Sequence, residues 1–138
     1  MRLTVVIPAL NEAGNIGLLV EETYAVVPAS MLAEVVVVDD ASDDDTGAEI
    51  KALIASGKYP GLRYLRHGER SGQSAALRTG ILAATNSVIA TMDGDGQNDP
   101  RDIPRLVEKL APPGSRGPAL VSGWRTERRD TGSKRWAS

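Results

Sequence analysis

The sequence predicts an α/β fold with a mainly parallel sheet that is flanked by helices on both faces. Short, wholly apolar runs alternate with longer segments whose apolar residues recur at helical spacing. The alternation gives the order β-α-β-α-β-α-β-α-β, which is typical of parallel sheets. The 138 residues suit one compact domain.

The first half of the chain supplies two predicted strands and two predicted helices. Residues 3–7 are a short β-branched run that ends at Pro8, which predicts a buried strand. Residues 13–27 carry apolar side chains at helical spacing. Residues 35–38 are four consecutive valines, typical of a strand buried on both faces. Residues 46–56 place apolar side chains on one helical face, and a glycine follows them.

The second half continues the alternation. Residues 62–65 and 88–92 are short apolar runs that predict strands, and residues 119–121 predict a fifth. Residues 72–85 are rich in Ala and Leu, and residues 101–110 have apolar positions at helical spacing, so both predict helices.

Composition excludes several kinds of site. The chain has no cysteine, which removes disulfides, thiolate metal sites and a cysteine nucleophile. Its only histidine, His67, rules out a histidine metal cluster, and we expect it in the loop after the third strand without a chemical role. A bound metal should therefore be a hard cation with oxygen ligands.

No targeting segment is predicted. No apolar run approaches the ~20 residues that span a bilayer, and the first residues read as a strand rather than a signal peptide. We therefore expect a cytoplasmic chain. Residues 1–123 form the predicted core and residues 124–138 a basic tail, where we expect the domain to be cut short or to end in a mobile loop.

Charge is distributed unevenly. Residues 1–60 hold three basic and ten acidic side chains, whereas residues 61–138 hold thirteen basic and eight acidic ones. The acidic residues cluster after the predicted strands, where a parallel sheet binds its ligands. Such loops would repel one another, which favours a bound divalent cation, although two solvated surfaces of opposite sign would explain the same charges.

The segment Asp93-Gly94-Asp95 directly follows a predicted buried strand. Two carboxylates separated by a glycine can approach one Mg²⁺ or Mn²⁺ ion, and Gln97 offers a further carbonyl oxygen. The alternative is a polar turn with an aspartate cap. The position after a strand, beside two further acidic loops, favours the metal.

Asp39 and Asp40 end the valine-rich strand. Acidic residues at such ends bind the base and ribose in nucleotide-binding folds. The alternative is helix capping, which we assign to residues 42–45.

Residues 70–77 open a predicted helix with a small, basic loop. Its Gly72 and Arg70 could receive phosphate at the helix N-terminus, but a capped helix with small residues for close packing explains the segment equally well. The basic tail could clamp phosphates or be a solvated loop. Nucleic acid is not expected, because no aromatic residues interleave with the basic ones.

Together these residues resemble family 2 glycosyltransferases with the GT-A fold, a Rossmann-like α/β architecture. Within that family they resemble the branch of dolichol-phosphate mannosyltransferases and undecaprenyl-phosphate sugar transferases. The matching segments occur in the family order and are residues 6–12, 37–44, 70–73 with Ala76 and Gly80, 92–100, and 122–125.

The resemblance implies roles for particular residues. The nucleotide pocket would be lined by Pro8, Asn11, Glu12, Asp39 and Asp40. The metal motif would comprise Asp93, Asp95 and Gln97, with Arg125 as a further catalytic residue and Arg129 and Arg135 facing the diphosphate or the acceptor phosphate.

The resemblance also implies an inverting transfer from a UDP-, GDP- or dTDP-linked sugar, with Mg²⁺ or Mn²⁺ as cofactor. A polyprenyl phosphate acceptor at the cytoplasmic face of the membrane, in cell-envelope synthesis, is the first expectation. Its phosphate oxygen is already anionic, so no strong general base is needed. A polysaccharide or protein acceptor, a non-catalytic nucleotide-binding fragment and a homo-oligomer stay open.

Overall fold

The computed structural model describes residues 2–94, 99–110 and 119–122, and it describes only the backbone of residues 109, 110 and 119–122. Five predicted site residues lie outside the described residues: Asp95, Gln97, Arg125, Arg129 and Arg135.

Strands and helices alternate in the described residues as the sequence predicts. They are β1 (Leu3–Ala9), α1 (Ile16–Val26), β2 (Leu32–Asp39), α2 (Thr46–Ala55), β3 (Leu62–Arg66), α3 (Gln73–Ala83), β4 (Val88–Thr91), α4 (Asp102–Leu110) and β5 (Ala119–Ser122). The strands form one parallel sheet with the order β3-β2-β1-β4-β5. The predicted fold class is confirmed.

The core fills both faces of this sheet. Val35 and Val37 face the larger cluster, which contains buried residues from α1, α2 and α4. Val36 and Val38 face the other side, where Ala76 of α3 packs against them. All four valines are fully buried, as expected for a strand that is covered on both faces.

Helix α3 lies unusually close to the sheet at Gly80. A Cβ atom at that position would overlap with Cγ1 of Val6 and lie 3.2 Å from Cγ2 of Val38. The small residues of α3 therefore serve close packing, which was one of the two interpretations of this segment.

Strand β1 runs two residues further than predicted, through Pro8 to Ala9. Proline cannot donate to a ladder, and β4 ends at Thr91, which pairs with Val6. The strand continues because its other side still pairs with β2, where Ala9 lies opposite Asp39.

Strand β2 begins three residues earlier than predicted, and the added part contains a buried carboxylate. Glu34 is 5% exposed and accepts hydrogen bonds from Thr4 Oγ1 at 2.7 Å and from the backbone N–H of Thr85 at 2.7 Å. Arg63 Nη1 lies 3.1 Å from its other oxygen. These partners let a residue that normally avoids buried strands occupy one.

Candidate functional site

The carboxyl ends of the strands form one polar edge. The register places Ala9, Asp39 and Arg66 side by side at the ends of β1, β2 and β3. Strand β4 lies on the opposite side of β1, so the strand order reverses between β1 and β4. Parallel α/β sheets bind ligands at such a reversal, which makes the loops after β1 and β4 the candidate site.

The loops after β1 and β2 are held together by hydrogen bonds. Asn11 donates its backbone N–H to Ser42 Oγ at 2.9 Å, and its Oδ1 accepts from the N–H of Asp43 at 2.8 Å. Glu12, which is buried, donates its N–H to Thr46 Oγ1 at 2.9 Å. Asn11 and Glu12 are two of the predicted nucleotide residues. Hydrogen bonds to the residues that lead into α2 therefore hold their loop in place.

Two non-glycine residues in these loops have left-handed backbone conformations. Asn11 has φ of 51° and Ala41 has φ of 61°. Asparagine tolerates this region, whereas alanine in it costs roughly 1–2 kcal/mol. Strain of this kind is concentrated at functional sites, and here it lies at Ala41, two residues after the end of β2.

Asp39 is fully buried and is bonded to the protein through both oxygens. Its Oδ1 accepts from the N–H of Ser42 at 2.8 Å. Its Oδ2 accepts from the hydroxyl group of Tyr64 at 2.5 Å and from Arg66 Nη1 at 3.1 Å. Oδ1 could accept one further hydrogen bond, but the side chain is fully buried in this structure.

Gly47 makes room for the Tyr64 hydroxyl group. A Cβ atom at Gly47 would lie 2.5 Å from Tyr64 Oη and 3.5 Å from Asp39 Oδ2. Burial and the hydrogen bond to Asp39 raise the pKa of Tyr64, so its hydroxyl group stays protonated and keeps donating.

Asp40 is also fully buried, and it holds the loop before α3. Its Oδ1 lies 2.8 Å from His67 Nδ1 and accepts from the N–H of Ser71 at 2.8 Å. Its Oδ2 accepts from the N–H of Gly72 at 2.9 Å. His67 lies directly after β3, as expected, and its mostly buried ring bridges Asp40 to Thr79 Oγ1 at 2.8 Å.

The entrance to α3 differs from the phosphate site that the sequence left open. The amides of Ser71 and Gly72, which would receive a phosphate, donate instead to Asp40. Arg70 lies nearby, with Nη2 2.6 Å from Asp43 Oδ2, and both side chains are exposed. Arg70 can exchange this surface partner for an anionic ligand, because exposed pairs contribute little stability.

Asp93 is the second residue after β4, at the point where the strand order reverses. Its Oδ1 accepts from Gln73 Nε2 at 2.7 Å, which links this loop to the first residue of α3. The N–H of Gly94 donates to the carbonyl oxygen of Pro8 at 3.2 Å, so the loop also follows the end of β1.

Gly94 is required for contact rather than for an unusual turn. A Cβ atom there would lie 2.9 Å from the carbonyl oxygen of Pro8 and 3.4 Å from Cα of Ala9. The backbone after β4 can approach β1 this closely only without a side chain, which brings Asp93 next to the predicted nucleotide residue Pro8.

The described residues do not by themselves complete a metal site. Among the side chains that the structure describes, no three His, Cys, Asp or Glu groups come together around one position. Of the predicted metal motif, the structure describes Asp93, whereas Asp95 and Gln97 lie outside the described residues. This set offers oxygen donors alone, which fits Mg²⁺ or Mn²⁺.

Two carboxylates of the acidic loop after β2 are paired with arginines. Arg66 lies beside Asp39, His67 beside Asp40 and Arg70 beside Asp43. Repulsion between the acidic loops is thus reduced by the arginines beside Asp39 and Asp43, at the end of β3 and in the loop after it.

Asp44 shows how the α2 entrance is capped. Its Oδ1 accepts from the N–H of Thr46 at 3.0 Å, and its Oδ2 from the N–H of Ala13 at 3.1 Å. Burial raises the pKa of this carboxyl group, but the hydrogen bonds from Thr46 and Ala13 outweigh burial and lower it below its ordinary value. Asp44 thus binds the first helical N–H from the position before the N-cap residue, Asp45, whose own side chain makes no capping hydrogen bond.

Sequence reasoning missed the residues that support the site. Tyr64, Arg66, His67 and Gln73 all bond to carboxylates at the sheet edge. Tyr64 and Arg66 are two residues apart on β3, so they share one face of the sheet. That signal becomes informative only once β3 is known to be the neighbour of β2.

A cavity of about 400 Å³ lies away from this edge. Arg2, Tyr24, Leu32 and Gly61 are among its lining residues, and they surround the amino ends of β1, β2 and β3. It contains none of the predicted site residues. Within the described ranges, no helix has the length and apolar character needed to cross a bilayer.

Known proteins resemble this chain along most of its length. It is 39% identical over 140 residues to the dodecaprenyl-phosphate galacturonate synthase of Rhizobium johnstonii, covering 94% of this chain and 38% of that protein. It is 34% identical over 137 residues to the undecaprenyl-phosphate 4-deoxy-4-formamido-L-arabinose transferase of Pseudomonas aeruginosa, covering 99% of this chain and 39% of that protein. The chain thus spans about two fifths of the length of these relatives.

A solved structure is similar as well. The mannosyltransferase of Pyrobaculum calidifontis, in complex with GDP-Man and Mn²⁺, matches with a TM-score of 0.72 and 33% identity. The match covers 81% of this chain and 33% of the mannosyltransferase. The model of the family described as "Glycosyl transferase family 2" matches residues 4–137. The fold, the polar edge and these matches agree, and the chain belongs to glycosyl transferase family 2.

Proposed function

We propose that this chain is the nucleotide-sugar-binding part of an inverting, metal-dependent glycosyltransferase whose acceptor is a polyprenyl phosphate. The observation that carries the proposal is the family match over residues 4–137. The names of the two curated relatives, both at least 34% identical, further support the lipid phosphate.

The donor would bind at the crevice between the loops after β1 and β4. Pro8 lies at the end of β1, Asn11 in the loop after it, and Asp93 in the loop after β4. In this proposal Glu12, Asp39 and Asp40 shape the pocket from within the protein, because all three are buried. Gly72 acts through its bonded amide rather than through direct phosphate contact.

The metal motif in this proposal comprises Asp93, Asp95 and Gln97. A divalent ion bound there would neutralise the negative charge that builds up on the departing nucleotide diphosphate. The Pyrobaculum calidifontis mannosyltransferase was solved with Mn²⁺, so Mn²⁺ is the ion to test first and Mg²⁺ the second.

The acceptor side is proposed for the basic end of the chain. Residues 1–123 would hold the donor, and residues 124–138 would begin the acceptor region at the cytoplasmic face of the membrane. The diphosphate or the acceptor phosphate would be contacted by Arg125, Arg129 and Arg135, with Arg70 at the rim. One guanidinium group can donate two parallel hydrogen bonds to the oxygens of one phosphate.

The proposed reaction does not need a strong general base from the protein. A phosphate monoester oxygen is already an anion near pH 7, so it can attack the anomeric carbon without losing a proton to the protein. The chain's own residues then bind and orient the two substrates, and orientation of this kind supplies much of the rate.

The test combines UDP, GDP and dTDP sugars with undecaprenyl phosphate in detergent micelles, with Mn²⁺ or with EDTA. The expected result is that one donor gives an undecaprenyl phosphate sugar, and only when Mn²⁺ is present. Undecaprenol is the matched control, because it has the same lipid and no phosphate. Metal-dependent donor binding by the folded chain without transfer would favour a nucleotide-binding role instead.

A further inference from the structure

We propose that Gln73 is a positioning residue for Asp93, and that the buried pair of Asp40 and His67 holds Gln73 in place. The inference rests on the proposed function, because that function assigns Asp93 to the metal. It goes further by naming the side chains that orient this carboxylate before any metal arrives.

The contact between Gln73 and Asp93 joins two segments that are distant in sequence. Gln73 Nε2 lies 2.7 Å from Asp93 Oδ1, and Gln73 is half-buried at the first position of α3. A side-chain NH₂ group only donates hydrogen bonds, so it matches the ionised form of the carboxylate, which only accepts them. Metal-binding carboxylates are commonly fixed in this way by a neighbouring donor.

Gln73 is fixed in turn by the two residues before it. The N–H groups of Ser71 and Gly72 both donate to the buried carboxylate of Asp40. Gly72 has φ of 98°, a left-handed conformation that favours glycine, and it sets the direction in which α3 begins. A change at Asp40 would therefore reach Asp93 through the start of the helix.

His67 holds the same unit from the side of β3. Its side chain is 15% exposed, with Nδ1 2.8 Å from Asp40 Oδ1 and Nε2 2.8 Å from Thr79 Oγ1. The backbone N–H of His67 donates to the carbonyl oxygen of Asp39 at 2.9 Å. Helix α3 is thus attached to the ends of β2 and β3 at its first residues and again at Thr79.

This arrangement has a simple consequence for the site. Asp93 lies in the loop after β4, and its side chain is tied through Gln73 to strands on the other side of β1. Gly94 fixes the backbone of that loop through Pro8, whereas Gln73 contacts the carboxylate itself. A contact that served only to close the loop would affect stability, and one that orients a ligand would affect metal affinity.

The experiment compares Gln73→Met with Ser74→Ala. Methionine keeps the length of the glutamine side chain and removes the NH₂ donor, and Ser74 is an exposed neighbour in the same turn of α3. Mn²⁺ binding is followed by electron paramagnetic resonance at saturating UDP or GDP, whichever the wild-type chain binds. Thermal unfolding of each metal-free variant is measured in parallel.

We expect Gln73→Met to weaken Mn²⁺ binding by about 10-fold or more, the effect usual for a partner of a metal-binding group. Its unfolding temperature should stay close to that of Ser74→Ala, whose Mn²⁺ affinity should match the wild type. Thr79→Val, which removes the hydroxyl group facing His67 and keeps the shape, should cause a smaller loss in the same direction.

The two ways of failing are distinguishable. A wild-type chain that binds no nucleotide with Mn²⁺ would overturn the proposed function itself. A wild-type chain that binds normally, with Gln73→Met equally tight, would overturn the positioning role alone. A loss in Gln73→Met that merely follows a loss of folded protein would overturn it as well.

Discussion

The hydroxyl group of Tyr64 donates to Oδ2 of Asp39 across 2.5 Å, from the edge strand β3 to the end of β2. Arg66 Nη1 approaches the same oxygen at 3.1 Å. A fully buried carboxylate at the polar edge is therefore balanced by its neighbouring strand. The shape of the candidate pocket consequently depends on a strand that contributes none of the predicted ligand residues.

Replacing Tyr64 with phenylalanine should destabilise the chain. The change removes one hydrogen bond to a buried charge, which costs about 1–2 kcal/mol when other donors remain. Urea unfolding followed by circular dichroism measures this. Tyr59→Phe is the matched control. The Tyr59 ring packs edge-on against Tyr24, with 5.2 Å between the ring centroids, and that contact survives the change. Equal stability of the two variants would contradict the role given to Tyr64.

Glu34 should make stability depend on pH. Burial raises the pKa of this carboxyl group, but hydrogen bonds from Thr85, Thr4 and Arg63 outweigh burial and lower the pKa below its ordinary value of 4.5. The unfolded chain therefore binds the proton more readily than the folded chain. Stability from Glu34 is complete above the unfolded pKa and is lost as pH falls through the folded one.

The comparison that isolates this effect is the wild type against Glu34→Gln. We expect the wild type to be more stable at neutral pH and to lose that advantage as the pH falls below the ordinary carboxyl pKa of 4.5. Parallel pH profiles for the two proteins, measured by urea unfolding, would show that Glu34 has the same pKa in both states.

Gly80→Ala tests the close packing of α3. Alanine is the better helix former by about 1 kcal/mol, yet its Cβ would overlap with Val6 in the core. We expect the overlap to dominate and to give a net loss of about 1 kcal/mol. Gly68→Ala is the control, since no atom lies within 4 Å of the Cβ position at Gly68. A stabilised Gly80→Ala variant would mean that α3 can move away from the sheet.

The elements of this fold could be predicted because their signals are local. Four valines in a row and the helical spacing of residues 46–56 act over single segments. The end of β1 was misplaced because Pro8 interrupts pairing on one side of the strand only. The start of β2 was missed because Glu34 looks unsuited to a buried strand until Thr4 and Thr85 are known to lie beside it.

The position of the candidate site at the strand ends could be predicted, whereas the contacts of its residues could not. The sequence placed acidic residues at strand ends, and the structure brings these to one edge. The partners of Asp39 and Asp40 could not be read from the chain, because the strand order that makes β3 the neighbour of β2 is a tertiary property. Without Arg66 and His67, the same carboxylates look like ligand contacts.

We propose a metal-dependent donor site at the carboxyl ends of β1 and β4. Asp95→Asn removes one proposed metal ligand and keeps the size of the side chain. Asp102→Asn, at an exposed position in the first turn of α4, is the matched control.

Calorimetric titration with UDP, GDP and dTDP, with and without Mn²⁺, tests this claim most directly. The wild type and Asp102→Asn should bind one nucleotide in a Mn²⁺-dependent way, and folded Asp95→Asn should bind it no better with Mn²⁺ than without. Equal Mn²⁺-dependent affinity in all three proteins would contradict the assignment of the metal to this loop.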